Sequence, residues 1–519
     1  MKNFFKFKNI ISLFIFIPCV FFPISHKNSN LENNLIKNFS FGKTSSNISN
    51  QKNLIGYFIE EISLGETHSA ATITNGTTDY LYTWGHNNVS QTGIEVLNPL
   101  EEYEIPTKVT NLSSGNIKQI SMGGDHSAAI VDDVLYTWGE NGNGQLGLGF
   151  DEDKLLSTLN ISTPWPVSSF TNYNVDQISM GYKHSAAIVS DDENEYLYTW
   201  GANSVGQLGL GWENNPDDTI KYYSSPQKIN PPEGDDIKIE QISLGYDYSA
   251  AIINDGTSDE LYTWGENSQG QLGVGDKENK SSPTKVKDLP DGDIEQIALG
   301  NFHSAAIVQE EDGKDHLYTW GKNSQGQLGL GDNIDYDTPQ EVTNLPEGDI
   351  KQIALGGFHA NSKVAYSAVI INTAEGDQLW TWGSNQFGQL GLGNNNDYNT
   401  PQEVTNLLEG DIKQVSLGGY HSGVVIHNKK GDHFYTWGSN QYGQLGYGEN
   451  YKKSAEYYND DKNIPYYSSP HQIFEELYDT WFLDYWYYFL ILFIVIIIIW
   501  IFIVILIIKR KKLTMLSDK

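Results

Sequence analysis

The amino-acid sequence predicts an all-β protein that consists of a seven-bladed β-propeller, followed by one transmembrane α-helix. A unit that contains Tyr-Thr-Trp-Gly, or a close variant, recurs seven times at intervals of 54 to 64 residues, and periods of this length are typical of propellers. The unit contains short β-rich stretches separated by Gly, Asn and Asp, which suits four short strands per blade. Near the C-terminus, residues 489–508 are uncharged and apolar, and they are long enough to span a bilayer as a helix.

Composition narrows the functional classes. The chain has 519 residues and a formal net charge of −32, and Arg510 is its only arginine, so binding to nucleic-acid phosphates is not expected. The single cysteine, Cys19, excludes a disulfide framework and a cysteine-rich metal site. The sequence has no nucleophile elbow, phosphate-binding loop or zinc-binding helix motif. It therefore predicts a protein that is not an enzyme and that uses no cofactor or metal.

The N-terminal residues 1–25 have the features of a secretory signal peptide or a signal anchor. Three lysines within the first eight residues precede an apolar run, Ile10 to Ile24, that is short for a membrane span. Cleavage near Ser25 and retention as an anchor both fit this pattern. Residues 26–51 are polar and are expected to form a linker.

The propeller is predicted to span residues 52–478. Each unit contains a Gly-x-x-His turn or a variant of it, then the Trp-Gly pair, and then Gly-Gln-Leu-Gly or a variant. The tryptophans of the seven units are Trp84, Trp138, Trp200, Trp264, Trp320, Trp382 and Trp437. The residues at the end of the turn are His68, His126, His184, His303, His359 and His421, with Tyr248 in the remaining unit.

Proline positions suggest how the ring closes. A proline lies 32 to 43 residues before each tryptophan from the second unit onward, and proline is tolerated where a strand begins. No proline precedes Trp84 at this distance, whereas Pro470 follows the seventh unit with no further tryptophan behind it. The strand around Pro470–Phe474 is therefore predicted to complete the first blade, which would remove an exposed strand edge at the seam.

The composite motif resembles the repeat of the regulator of chromosome condensation family. The resemblance rests on His-Ser-Ala-Ala-Ile-Val, Leu-Tyr-Thr-Trp-Gly and Gly-Gln-Leu-Gly-Leu-Gly, whose variants recur across residues 52–478. It implies a seven-bladed propeller that binds proteins. The founding member of that family exchanges nucleotide on a nuclear small GTPase at chromatin, and other members are sensors, scaffolds or parts of larger enzymes. The exchange residues of the family lie outside the repeat motif, so none is carried over to this sequence.

The repeated histidines fit either a ring of metal ligands or a structural role. A residue that recurs in nearly every blade serves the blade, and Tyr248 interrupts a ring of ligands, so we interpret the histidines as structural. The acidic stretches, residues 151–153 and Asp332 with Asp335 and Asp337, offer oxygen ligands for Ca²⁺. They lack the glycine and glutamate positions of a twelve-residue calcium loop and are interpreted as solvated surface.

The sixth unit carries seven additional residues, which are predicted to enlarge a turn and to form a loop that contacts a partner. Loops on a rigid scaffold commonly carry binding, and a neutral insertion is the alternative. Longer excursions follow the second and third units at residues 150–162 and 212–223. The candidate contact residues of the sixth unit are Ala360, Asn361, Ser362, Lys363, Val364, Ala365 and Tyr366.

Asn-x-Ser/Thr sequons provide candidate glycosylation sites if the propeller enters the secretory pathway. All of them lie in the first two-thirds of the chain, so glycans would leave blades five to seven more accessible to a partner. The sequons begin at Asn38, Asn47, Asn75, Asn88, Asn111, Asn160 and Asn279.

The C-terminal residues predict membrane topology. Residues 479–488 form an aromatic juxtamembrane segment, residues 489–508 the membrane helix, and residues 509–519 a short basic tail that is expected in the cytosol. Lysines also precede the first apolar run, so the region between the two runs is predicted to be lumenal or extracellular. This is the topology of a single-pass type I membrane protein of the secretory pathway or cell surface.

Together these features predict a membrane-anchored, non-catalytic, protein-binding propeller with an unidentified protein partner. The alternative is a guanine-nucleotide exchange factor or regulator of a small GTPase, which requires a cytosolic propeller.

Overall fold

The computed structural model describes residues 58–95, 102–149, 159–192, 194–211, 222–230, 237–254, 256–358, 364–448, 457–459, 464–474 and 497. The predicted signal segment, linker, juxtamembrane segment and basic tail lie outside these residues, as does all of the predicted membrane helix except Ile497. Among the described residues, no helix is both long and apolar enough to cross a membrane.

Seven antiparallel sheets, one for each predicted unit, form the blades of the propeller. The first blade contains β1 (Phe58–Leu64), β2 (His68–Thr74), β3 (Asp79–His86) and β4 (Glu102–Lys108). The second contains β5 (Ile117–Met122), β6 (His126–Val131), β7 (Val134–Gly139) and β8 (Ile161–Pro166). The third contains β9 (Asn174–Met180), β10 (His184–Ser190), β11 (Glu195–Ala202) and β12 (Tyr222–Ile229).

The remaining blades repeat this order. The fourth contains β13 (Lys238–Leu244), β14 (Tyr248–Asn254), β15 (Asp259–Gly265) and β16 (Lys280–Lys285). The fifth contains β17 (Asp293–Leu299), β18 (His303–Gln309), β19 (Asp315–Gly321) and β20 (Tyr336–Glu341). The sixth contains β21 (Asp349–Phe358), β22 (Val364–Thr373), β23 (Gly376–Gly383) and β24 (Tyr398–Glu403). The seventh contains β25 (Asp411–Leu417), β26 (His421–Asn428), β27 (Gly431–Ser439), β28 (Tyr457–Asn459) and β29 (Ile464–Ile473).

The hydrophobic core lies between neighbouring blades. The second strand of each blade is covered on both faces, and in β2 every residue is buried. One representative cluster joins Ile130 and Leu146 of the second blade to Val175 and Trp200 of the third. Each blade is therefore stabilised by burial of apolar surface against the next blade, as expected for a propeller.

The glycine of the Trp-Gly pair is required by the backbone. Gly201 has φ +101°, and a Cβ atom there would lie 2.6 Å from the carbonyl oxygen of Lys183. The same strand end has a positive-φ glycine in every blade. A side chain at this position would be strained and would clash with the preceding turn.

The predicted strand exchange between the chain ends is wrong. The first blade contains its own fourth strand, β4, which carries Pro106 and pairs with β3. The strand that carries Pro470, β29, instead pairs with β27 of the seventh blade, for example Phe434 with Ile473. The proline strands complete the blade that precedes them. Proline tolerates this position because the missing N–H lies on an outer strand that has little or no further pairing.

Side chains close the ring where no strand is exchanged. Ser69 and Trp84 of the first blade both donate to the carbonyl oxygen of Gln444 in the seventh, at 2.8 Å each. At the opposite end of the same seam, Asp432 accepts a hydrogen bond from the Ile59 N–H at 2.9 Å. The same kinds of contact join the other blades, so the seam resembles an ordinary joint between blades.

Candidate functional site

The repeated histidines are structural parts of the joints between blades. His68 is fully buried, and its Nε2 lies 2.8 Å from the hydroxyl of Ser127 in the next blade. His126 and Ser185, His184 and Ser249, His303 and Ser367, and His421 and Ser69 repeat this contact. Burial lowers the pKa of each of these five histidines to about 3, because a charged imidazole would lose its hydration.

Two blades use tyrosine in place of histidine. Tyr248 pairs with Gly265 in the register that histidine has elsewhere, and its hydroxyl donates to the His303 carbonyl at 2.6 Å. In the sixth blade this position belongs to Tyr366, which pairs with Gly383 and donates to the His421 carbonyl at 2.7 Å. The prediction that His359 ends this turn is therefore wrong, and His359 itself lies outside the described residues.

The insertion of the sixth blade lengthens a hairpin and does not only enlarge a turn. The pairing of β21 with β22 continues to Phe358 and Val364, beyond the point where the other blades turn. Of the candidate contact residues, Val364, Ala365 and Tyr366 are 2%, 3% and 0% exposed. Contact between this loop and a partner stays a prediction. Residues 360–363 of the candidate loop lie outside the described residues.

The acidic loop of the fifth blade caps its own backbone. Asp332 accepts hydrogen bonds from the Asn323 side chain and the Ile334 N–H, and Asp335 accepts from the Asn323 N–H at 2.7 Å. Within the part of the chain that the structure describes, no group of histidine, cysteine and acidic side chains has an arrangement that could hold a metal ion. Residues 151–153 lie outside that part.

One end of the propeller, which we call the turn face, concentrates aromatic and acidic side chains. It consists of the turns between the first and second strands and the loops that follow each Trp-Gly pair. Tyr182 and Tyr246 stack there with ring centroids 4.3 Å apart, and the ring of Phe302 lies 5.8 Å from that of Tyr246. These three rings, the aromatic arc, cross the third, fourth and fifth blades, and all three residues are half-buried.

Carboxyl groups surround the aromatic arc. Asp125 and Asp247 occupy the position just before the joint residue, where they accept hydrogen bonds from Gln91 at 3.0 Å and Gln207 at 2.9 Å. Burial, reinforced by neighbouring Glu140 or Glu266, raises the pKa of Asp125 to about 6 and that of Asp247 to about 7.

The carboxyl groups also affect the pKa of a tyrosine in the arc. Burial first, and then the negative charges of Glu66, Asp125 and Glu140, raise the pKa of the Tyr182 hydroxyl to about 12. Two lysines lie over the same rings: the Nζ of Lys183 is 5.1 Å from the Tyr182 ring centroid, and that of Lys322 is 5.5 Å from Phe302. The arc is thus an amphipathic surface in a predominantly negative field.

The turn face borders a small cavity on the propeller axis. The cavity has a volume of about 150 Å³, and Glu66, Tyr182, Tyr246 and Asn301 reach its wall. The ends of the inner strands supply a ring of apolar side chains below them: Leu64, Met122, Met180, Leu244, Leu299, Leu355 and Leu417. The cavity is too small for a large ligand, so the surface around it offers more area for recognition than the cavity does.

The described sequons divide between the two ends of the propeller. Asn88, Asn160 and Asn279 lie in exposed loops on the turn-face side, and the side-chain oxygen of Asn279 caps the Asn267 N–H at 2.9 Å. Asn75 and Asn111 lie in turns at the opposite end. Asn38 and Asn47 lie outside the described residues.

The aromatic arc and its carboxyl groups could not be identified from the repeat motif. They occupy positions that differ from blade to blade, within a turn whose other residues recur. The signal was present in the sequence as Gly-Tyr-Lys-His at residues 181–184 and Gly-Tyr-Asp-Tyr at residues 245–248. The two tyrosines share one repeat position in successive blades, and adjacent blades bring such positions together.

Comparison with protein families gives two matches. An RCC1-like domain matches residues 43–361, and the regulator of chromosome condensation (RCC1) repeat matches residues 377–425 and 432–475. Among curated proteins, the ultraviolet-B receptor UVR8 of Arabidopsis thaliana is 31% identical over 390 residues, which cover 75% of this chain and 78% of UVR8. The human E3 ubiquitin-protein ligase HERC2 is 28% identical over 73% of this chain, but the match covers only 7% of HERC2.

Solved structures share the fold. Human WBSCR16 aligns with a TM-score of 0.60 at 21% identity, covering 76% of this chain and 93% of WBSCR16. Prp20p from Saccharomyces cerevisiae, studied with its binding to Gsp1p and histones, aligns with a TM-score of 0.58 at 21% identity, covering 76% of this chain and 86% of Prp20p.

Proposed function

Because the chain belongs to the RCC1 repeat family, we propose that it is a protein-binding propeller whose binding site is the turn face. The observation that carries this proposal is the half-buried aromatic arc of Tyr182, Tyr246 and Phe302 beside the axial cavity. Tyrosine and other aromatic residues are enriched at interfaces because they offer large contact area with a polar group at one end. One solved relative has several protein partners, since Prp20p, which is yeast RCC1, was studied with Gsp1p and histones and was also solved with Kap60.

Charge on the turn face indicates the chemistry of the partner. Five carboxyl groups surround the arc, against the two lysines that lie over its rings. A segment rich in Lys and Arg would meet a complementary potential, and its cations would find aromatic faces and carboxylates together. The five carboxyl groups belong to Glu66, Asp125, Glu140, Asp247 and Glu266.

We propose that binding occurs without catalysis and on the lumenal or extracellular side of a membrane. The support is the sequence pattern of residues 1–25, the apolar residues 489–508 and the basic tail that follows them. The aromatic arc would then face a partner in the lumen or outside the cell.

A Lys/Arg-rich peptide and a Glu-rich peptide of equal length provide the test of the turn face, using the full-length chain in detergent. We expect salt-dependent binding of the basic peptide only, weakened at least tenfold when Tyr182→Ala and Tyr246→Ala are combined. Trp165→Ala is the matched control, because Trp165 is 51% exposed on the outer strand β8, away from the turn face. If the double variant binds like the wild type, the turn face is not the site.

A guanine-nucleotide exchange factor is the second candidate, favoured by the similarity to Prp20p, which binds Gsp1p. It requires the propeller in the cytosol. Glycosidase treatment and protease protection on intact membranes separate the two candidates. A glycan-dependent mobility shift with a protected propeller supports the lumenal module, and an unshifted propeller that is digested from the cytosolic side supports the exchange factor.

A further inference from the structure

A glutamine clasp joins the inner strands of neighbouring blades. Gln119 on β5 accepts a hydrogen bond from the Ile178 N–H at 2.8 Å and donates its amide to the Ile178 carbonyl at 3.0 Å. One side chain thus satisfies both backbone groups of one residue in the next blade, where the two strands do not pair. The same two-way contact joins Gln241 to Ile297, Gln296 to Ile353, Gln352 to Val415, and Gln414 to Ile62.

The first blade has a glutamate in this position. Glu61 precedes Ile62 and Ser63 as Gln119 precedes Ile120 and Ser121, and its Oε2 accepts from the Ile120 N–H at 2.8 Å. Its second oxygen corresponds to the amide nitrogen of the glutamines. An ionised carboxylate has no proton to donate from that oxygen, whereas a protonated carboxyl group has one.

We propose that Glu61 is a proton-dependent clasp between the first and second blades. In its protonated form it holds both the N–H and the carbonyl of Ile120, as glutamine does in five of the other six joints. In the remaining joint, Gln177 of the third blade accepts from the Ile242 N–H at 2.8 Å. In its ionised form Glu61 keeps only the N–H, and a charge lies between two inner strands. The first joint would therefore have a clasp whose strength depends on the ionisation of a carboxyl group, whereas the residue at this position in the other six joints is an uncharged glutamine.

The surroundings of Glu61 favour the protonated form. Burial raises the pKa of the carboxyl group to about 8, and the Ile120 N–H opposes this shift only in part. The charged groups on the strands packed around it are engaged elsewhere. Lys118 on β5 forms ion pairs with Asp133 and Asp176, and His68 on β2 contacts Ser127. Lys413 on β25 forms an ion pair with Asp432. The charges that act on Glu60, on β1, are those of Lys413, Asp79 and Asp432.

The sign of the pH effect follows from this shift. Above pH 4.5 the unfolded chain releases the Glu61 proton, while the folded chain retains it until about pH 8. The contribution of the clasp to folding is therefore complete below pH 4.5 and is lost as the pH rises towards 8. Between these values the folding equilibrium constant loses up to about tenfold per pH unit through this one group.

Glu61→Gln in the full-length chain tests the proposal, with Glu240→Gln as the control because Glu240 directly precedes the clasp residue Gln241 in the fourth blade. Urea unfolding and hydrogen exchange at the Ile120 amide are followed from pH 6 to 9. We expect wild type and Glu240→Gln to lose stability and Ile120 protection as the pH rises. Glu61→Gln should lose markedly less of both.

The reciprocal variant Gln119→Glu should acquire the same pH-dependent loss at the Ile178 amide. Identical pH profiles of wild type and Glu61→Gln would overturn the proposal, even if Gln119→Glu does not fold. None of these measurements involves a partner, so their outcome is independent of the proposed binding function.

Discussion

The indole N–H of Trp84, in the first blade, donates to the carbonyl oxygen of Gln444, in the seventh, at a distance of 2.8 Å. Trp200 makes the same bond to Gln145 inside the ring, also at 2.8 Å. The first and seventh blades thus meet through a contact that the fold uses at an ordinary joint. Side-chain contacts between complete blades close the ring. Among the described residues, no covalent bond and no exchanged strand joins the first blade to the seventh.

Trp84→Phe and Trp200→Phe should therefore destabilise the protein to a similar extent. Each removes a buried indole donor and part of a large apolar side chain, which costs about 2 kcal/mol of unfolding free energy. Chemical unfolding of both variants at neutral pH measures the difference. A Trp84→Phe cost that is several-fold smaller would show that the seam is the weak joint of the ring.

The seventh blade should depend on its C-terminal strand. A chain that ends at residue 463 lacks β29, which exposes the edge of β27 and removes Phe474, whose ring lies 5.9 Å from those of Trp84 and Phe434. A chain that ends at residue 478 keeps both and is the matched control, since both chains lack residues 479–519. We expect a markedly lower melting temperature for the shorter chain only. Equal melting temperatures would mean that β29 contributes little to the seam.

Repetition made the fold predictable, and departures from repetition limited the prediction. The seven tryptophans and the glycine turns identify seven blades, because each strongly periodic residue has one role in every unit. The proline spacing did not reveal that Pro470 belongs to the blade before it, since proline is tolerated both at strand starts and on outer strands. The histidine pattern misassigned His359, because only the register shows that Tyr366 fills the joint.

The turn face was still less accessible to sequence analysis. Tyr182, Tyr246 and Phe302 are separated by more than fifty residues, and only the ring arrangement brings them within stacking distance. Their neighbours Asp125 and Asp247 have raised pKa values because the fold buries them, which no local pattern of charges conveys. The role of a residue that recurs in every blade can be predicted from a single sequence. A surface formed by positions that differ between blades can be identified only from the three-dimensional structure.

The buried histidines should make the propeller sensitive to acid. Their pKa values fall to about 3 in the folded state against 6.5 when unfolded, so the unfolded chain binds more protons as the pH drops below 6.5. Each histidine then removes up to about 1.4 kcal/mol of stability per pH unit. His68→Tyr introduces the residue that the fourth blade has at this position. Between pH 6.5 and 4, this variant should lose less unfolding free energy than the wild type, and the difference should equal the contribution of one histidine. Urea unfolding of His68→Tyr and wild type over this range measures it, and parallel pH curves would contradict the expectation.

The two aspartates beside the aromatic arc should act in the opposite direction. Because burial raises the pKa of Asp125 to about 6 and that of Asp247 to about 7, both lose protons less readily in the folded state, and stability falls as the pH rises from 3.8 through these values. Asn at both positions keeps an oxygen that can accept from Gln91 and Gln207 but carries no charge. The double variant Asp125→Asn, Asp247→Asn should therefore be more stable than wild type at pH 8 by about 1 kcal/mol, a value reduced for partial exposure to solvent. The two proteins should differ less at pH 5, and a stability difference that does not change with pH would show that the aspartates ionise normally.

The same variant removes two charges from the turn face, so its affinity for a basic peptide should fall while its fold becomes more stable. A loss of binding together with a gain in stability separates a recognition role of these carboxyl groups from a structural one.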